Sequence, residues 1–165
     1  MSKIKRLCLL LVPLVVLLAV VGTTGATASP PTSASGTFTY TSSTFNNIRE
    51  DGGNLIIDVS ATVSYTGTFT GTSALHGTLI LHANGSANFH DVEVFTGTVN
   101  GVPGTVTFNL SGSNDAAINL KATNAIVSAT GELAGLHGVL AMVGSVQIPA
   151  GPFGTYSGQI LSGTP

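Results

Sequence analysis

Asp91 and Glu93 stand two residues apart within Phe89-His90-Asp91-Val92-Glu93-Val94-Phe95. On a β-strand, residues two apart share a face, so both carboxyls would lie beside Phe89 and Phe95. Two carboxyls held in an apolar interior gain proton affinity and are suited to acid–base work. The competing expectation is a bulge beside Phe89 or Phe95 that turns both acids to water, because an unpaired buried charge is costly. For Asp91 the water-facing orientation is preferred. For Glu93 both orientations stay open.

His76, His82 and His90 lie on either side of Asn84-Gly85. A two-residue turn at that dipeptide would pair Ala83 with Ser86 and carry the ladder to His76 opposite Glu93. Directly opposed side chains on one face are within hydrogen-bonding reach. His76 and Glu93 are therefore the candidate ligand-binding pair. No histidine spacing here enforces one common ion at about 2.0–2.2 Å from each ligand, so no metal is expected. No catalytic residue and no cofactor are assigned. The chain has no Gly-x-Ser-x-Gly motif and no phosphate-binding glycine loop, and its single cysteine, Cys8, lies in the N-terminal apolar run.

The elements that must carry these residues read as strands. Over residues 55–69, seven of eight odd positions are apolar and six of seven even positions are polar. That period of two marks a strand with one buried face and one wet face. The wet face is built from Ser and Thr, and β-branched threonine keeps strand propensity while offering water a hydroxyl. Shorter strands are expected over 35–42, 74–83, 86–99, 105–111, 118–129, 139–148 and 155–161. Three stretches repeat one another: those around Gly67-Thr68-Phe69, Gly97-Thr98-Val99 and Gly131-Glu132-Leu133. Each reads as a strand end, a glycine turn and a returning strand. About eight strands with short connections predict an all-β, antiparallel up-and-down barrel. An outer-membrane barrel would need an apolar outside with aromatic girdles; the Ser/Thr face and the lack of Trp argue against one.

The N-terminus predicts export. Lys3, Lys5 and Arg6 precede an uncharged run over residues 7–21, and Ala26-Thr27-Ala28 has the form that signal peptidase accepts. Residues 1–28 are expected to be a signal peptide, 29–35 a Pro- and Ser-containing linker, and 36–165 the barrel domain. The product would be secreted or extracytoplasmic, with no membrane attachment after cleavage. Beyond the signal, only Arg49 and Lys121 stand against all seven acidic residues. A polyanion binder needs a basic patch, so nucleic acid is excluded as a partner. The domain has no cysteine, so its stability must come from its core rather than from disulfides.

Two segments carry a resemblance: Phe95-Thr96-Gly97-Thr98-Val99-Asn100-Gly101, and the run from Thr130 through Glu132, Leu133, Gly135 and Leu136 to Gly138. Together they resemble a bacterial family of domains of unknown function whose barrel is similar to that of plant allene oxide cyclase. The likeness covers roughly residues 36–161 and implies an antiparallel barrel. Glu93 falls where that family has a glutamate, and Val94 stands where an arginine usually follows. The family's histidine near Leu110 and arginine near His137 are also missing. The functional expectation is non-catalytic binding of an apolar small molecule or a protein partner. The alternatives are an isomerase or cyclase acting on a lipid-like substrate, as the resemblance implies, and a structural surface protein.

Overall fold

The computed structural model describes residues 30–147 and 150–162. The expected signal peptide, residues 1–28, lies outside the described residues. Eight strands follow one another: β1 (Thr32–Asp51), β2 (Asn54–Gly67), β3 (Phe69–Leu81), β4 (Ala87–Val99), β5 (Val102–Asn114), β6 (Asn119–Gly131), β7 (His137–Gln147) and β8 (Gly151–Leu161). Each pairs antiparallel with its neighbour in sequence, and β1 pairs with β8 to close the barrel. The all-β up-and-down architecture read from the alternation is therefore the architecture observed. Thr32–Ser35, which the linker expectation placed outside the barrel, are paired with β8 from Ile160 to Ser157.

Turn chemistry separates two hairpins that share the Asn-Gly dipeptide. At Asn100-Gly101, between β4 and β5, both residues have positive φ, +51° and +83°, and Val99 pairs directly with Val102. That is the two-residue turn whose twist matches its strands. At Asn84-Gly85 only the glycine has positive φ, +84°. The Asn84 side chain accepts bonds from the Ser86 amide at 3.0 Å and its hydroxyl at 2.8 Å, a local turn that keeps Asn84 out of the left-handed region. The Gly85 amide bonds to His82 O, and His82 N to Ser86 O. The loop is thus three residues long, a type I turn closed by a left-handed glycine. Leu81 pairs with Ala87, and the whole β3–β4 register moves by one.

The barrel has two unlike ends. The turn end holds the tight connections at Thr68 and Asn100-Gly101, the loop between β6 and β7, and both ends of the paired chain. Its interior is packed with rings: Phe69 lies 5.5 Å from Phe95, 5.6 Å from Phe108 and 5.9 Å from Tyr156 between centroids. Leu133 and Leu136, from the β6–β7 loop, are buried against this cluster. The Tyr156 hydroxyl accepts from the Phe69 amide and donates to Thr66 O, each at 2.9 Å. It thereby ties the sharp β2–β3 turn to β8. Gly36 lies beneath the Tyr156 ring, where any β-carbon would collide with the hydroxyl.

The opposite end is a flared mouth. β1 pairs with β8 only as far as Thr39, and from Tyr40 onward it is held by β2 alone. Irregularities between Tyr40 and Ser42 and between Asn46 and Ile48 bend this overhang, as bulges do at sheet edges. Phe45 pairs with Val59 and Ile48 with Ile57, so both belong to the inner face. They are nonetheless 60% and 61% exposed. The odd residues of β2 also open at the rim. Ala61, Val63 and Tyr65 are buried and Leu55 at the rim is 37% exposed; between them Val59 is half-buried, while Ile57 stays buried at 7%.

Candidate functional site

Glu93 is fully buried in the middle of β4. The strand runs without a bulge against β3 and β5, so Phe89, Asp91, Glu93 and Phe95 all face inward. Asp91, contrary to the water-facing orientation expected of it, is only 5% exposed. The bulge that would have turned it outward is absent because β3 and β4 match residue for residue from Leu81 and Ala87 to Phe69 and Val99.

Three donors surround the Glu93 carboxyl. The Tyr65 hydroxyl donates to Oε1 at 2.8 Å, and the Ser73 hydroxyl donates to the same oxygen. The Asn124 amide donates to Oε2 at 2.9 Å. Burial pushes the Glu93 pKa above the usual carboxylate range, and the three hydrogen bonds pull against that shift without cancelling it. Tyr65 is pushed well above its ordinary value, chiefly by its own burial and then by the Glu93 charge. The Asn124 carbonyl oxygen, Oδ1, is buried with no hydrogen-bond partner.

Asp91 differs from its neighbour. It makes no hydrogen bond among the described residues, and burial followed by repulsion from Glu93 raises its pKa to about 7. Its carboxyl lies over Gly77, the residue opposite on β3, where a β-carbon would collide with Oδ1. Tyr40 stands close enough to both acids that its pKa is raised well above the ordinary value, by burial first and then by Glu93 and Asp91. The basic residues of the barrel, Arg49 and Lys121, are both exposed, and neither lowers the pKa of Asp91 or Glu93.

The expected His76–Glu93 pair does not form. The one-residue change of register places His76 opposite Val92 and Leu75 opposite Glu93. A slip of one moves every side chain of a strand to the other face. His76 is on the outside, 3.0 Å from the Ser60 hydroxyl through Nδ1. His82 packs at the β3–β4 hairpin, with Nδ1 3.0 Å from Asn54 Oδ1 and Nε2 2.9 Å from Asn88 Nδ2. Among the described residues no group of three His, Cys, Asp or Glu side chains is placed to hold a metal.

Sequence reasoning missed Tyr40, Tyr65, Ser73 and Asn124. A signal was present for two of them. Asn124 continues the inward series Leu120, Ala122 of β6, and Ser73 lies two residues before the inward Leu75 of β3. A polar residue at an inward position needs a partner, and Glu93 is that partner.

Between Glu93 and the turn end, side chains occupy the interior. A cavity of about 140 Å³ lies beyond them, lined by Val99, Leu133, Leu136 and Ile160 among others. An open groove of about 530 Å³ lies on the β7–β8 side of the mouth, lined by Ile118, Val146 and Phe153 with Ser145 and Gln147. Neither is lined by Glu93. Nor is either lined by Asp91; toward the mouth the inner row Phe45, Val59, Gly77, Asp91 runs across four successive strands. Leu79 and Phe89, both half-buried, pair with one another in the next row toward the rim. Asp91 is thus the polar member of its row, one row in from the apolar Leu79 and Phe89.

Residues 34–147 match the family described as "Protein of unknown function (DUF3224)". The chain is also similar to the crystal structure of a protein of unknown function from the DUF3224 family of Shewanella oneidensis MR-1. The TM-score is 0.66 and the identity 21%, over 82% of this chain and 100% of that one. At that identity the likeness extends to the fold. No curated protein matches the chain.

Proposed function

This chain belongs to the DUF3224 family, and from its barrel we propose that it is a secreted, non-catalytic binding protein that takes an apolar small molecule into the flared mouth. The observation that carries this reading is the exposure of inner-face residues. Phe45, Ile48 and Leu55 belong to the side of the sheet that elsewhere forms the core, yet they remain open to water. Exposed apolar surface gathered on a concave face marks an interaction site. The filled interior below Glu93 confines such a ligand to the mouth.

Native mass spectrometry of the exported protein, purified from its host, tests the reading. A retained small molecule, lost in the double variant Phe45→Ser/Ile48→Ser, is the expected result. A ligand-free protein that also fails to take up decanol would leave a purely structural barrel. Association through the same face with a protein, seen as a stable complex by size exclusion, would replace the small molecule by a partner.

A second reading is favoured by Asp91. A carboxyl with a pKa of about 7, free of protein hydrogen bonds and one row in from the apolar Leu79 and Phe89, is suited to move a proton at neutral pH. An isomerase or cyclase acting on a lipid-like substrate, as in allene oxide cyclase, would use it so. Turnover of an unsaturated epoxide, lost in Asp91→Asn, would support that activity.

A further inference from the structure

Resting on the binding reading, we propose that the mouth selects a cationic amphiphile, whose ammonium or guanidinium head docks on the Asp91 carboxylate while its apolar tail lies against Phe45, Val59 and Leu79. The argument begins with the difference between the two acids. Glu93 has three donors fixed on its oxygens and is sealed from the mouth. Asp91 is 5% exposed and has none. A buried carboxylate without a donor is an expensive group to keep. Asn124 Oδ1 is a second buried acceptor without a donor, and Asn124 lies in the same cross-strand row as Asp91, with Leu110 between them.

Asp91 and Asn124 Oδ1 are thus acceptors without donors, and the Tyr40 hydroxyl, near both acids, bonds to neither. No basic side chain supplies the missing donors, since Arg49 and Lys121 are exposed. A ligand carboxylate or phosphate would add a third acceptor and a like charge. A neutral alcohol offers a single donor. An ammonium offers three N–H donors with a positive charge, and charge-assisted bonds are about twice as strong as neutral ones. Gly77, opposite Asp91, carries no side chain, so the Asp91 carboxyl itself occupies the space above it. The row from Asp91 to Phe45 supplies a continuous path for the tail.

The test compares three probes of one chain length, decylammonium, decanol and decanoate, titrated calorimetrically at pH 8 into the folded barrel. The expected order is ammonium over alcohol by about tenfold, the size of one charge-assisted bond, with decanoate weakest. In Asp91→Asn the preference for ammonium over alcohol should be lost. Equal binding of ammonium and alcohol by the wild type overturns this inference and leaves the binding reading intact. Failure of all three probes overturns both. Should Asp91→Asn fold poorly, carboxyl NMR of the wild type decides: decylammonium must lower the Asp91 pKa, and an unmoved titration rejects the docking.

Discussion

The turn end and the mouth are made from the same strands with the same alternation, yet one is sealed and the other open. At the turn end, Gly67 and the Asn100-Gly101 pair reverse the chain within one or two residues. Neighbouring strands therefore finish level, and Phe69, Phe95, Phe108 and Tyr156 meet across the interior. At the mouth, β1 outruns β8, and Phe45 and Ile48 keep their inward direction without a facing wall. The lesson is that alternation fixes which way a side chain points, whereas burial also needs an opposing strand. Glu93 and Asp91 repeat the contrast on a smaller scale. Glu93, toward the turn end, has every donor it needs. Asp91, one step toward the mouth, has none.

The sharpest way to break this comparison is to delete one ring at each end. Phe69→Ala should cost about 3–5 kcal/mol, the usual range for a fully buried phenylalanine. Phe45→Ala should stay within about 0.5 kcal/mol, as for an exposed site. Urea denaturation of both variants measures the difference, and equal losses would show that the mouth is as well packed as the turn end.

The two acids give the next largest effect, through pH. Both have pKa values raised by folding, so each binds its proton more tightly in the native state. Stability is then greatest below the unfolded carboxylate pKa and declines as pH rises toward the folded value. For Asp91 that window runs from 3.8 to about 7, with a slope near ~1.4 kcal/mol per pH unit if the group acts alone. Asp115, held below the ordinary range by its bonds to Asn119, acts in the opposite sense only at more acid pH. Melting temperatures from pH 4 to 8 should fall for the wild type and fall less for Asp91→Asn, with Glu93 supplying the remainder. Identical curves for the two proteins would mean that Asp91 is not held in the low-dielectric interior.

A smaller loss is expected where β3 passes beneath Asp91. Gly77→Ala puts a methyl group against Asp91 Oδ1 and the β4 backbone at His90, and overpacking of this kind costs about 1–3 kcal/mol. Gly101→Ala at the turn end meets no atom but keeps a positive φ, +83°, and should cost less, in the range of about 1 kcal/mol for a strained turn position. Chemical denaturation ranks the pair. The smallest effect belongs to His76→Ala, on the outer face, which should leave stability within about 0.5 kcal/mol of the wild type. A loss of several kcal/mol would return His76 to the interior beside Glu93.

The barrel itself was legible because period two survives over long stretches. Residues 55–69 carried the pattern clearly, and the glycine repeats marked three of the connections. Asp91, Glu93, Phe89 and Phe95 were correctly grouped on one face by spacing alone. Residues 43–51 carried no clean alternation, since two irregularities shift the inward set from Phe38 and Tyr40 to Ser43, Phe45 and Ile48. Their strand character comes from pairing with β2.

The partners of Glu93 were not legible in the same way. Tyr65, Ser73 and Asn124 come from three strands, 20 to 31 residues distant in sequence, and only the pairing and curvature of the sheet bring them to one carboxyl. The register that excluded His76 depended on a still finer matter, the choice by the Asn84 side chain of Ser86 as its partner. Sequence by itself determined the strands, their faces and the acidic, cysteine-free character of the domain, because those follow from local periodicity and composition. Tertiary structure alone decided which acid is satisfied and which is bare, because hydrogen-bond partners are set by register and curvature, which no local pattern encodes.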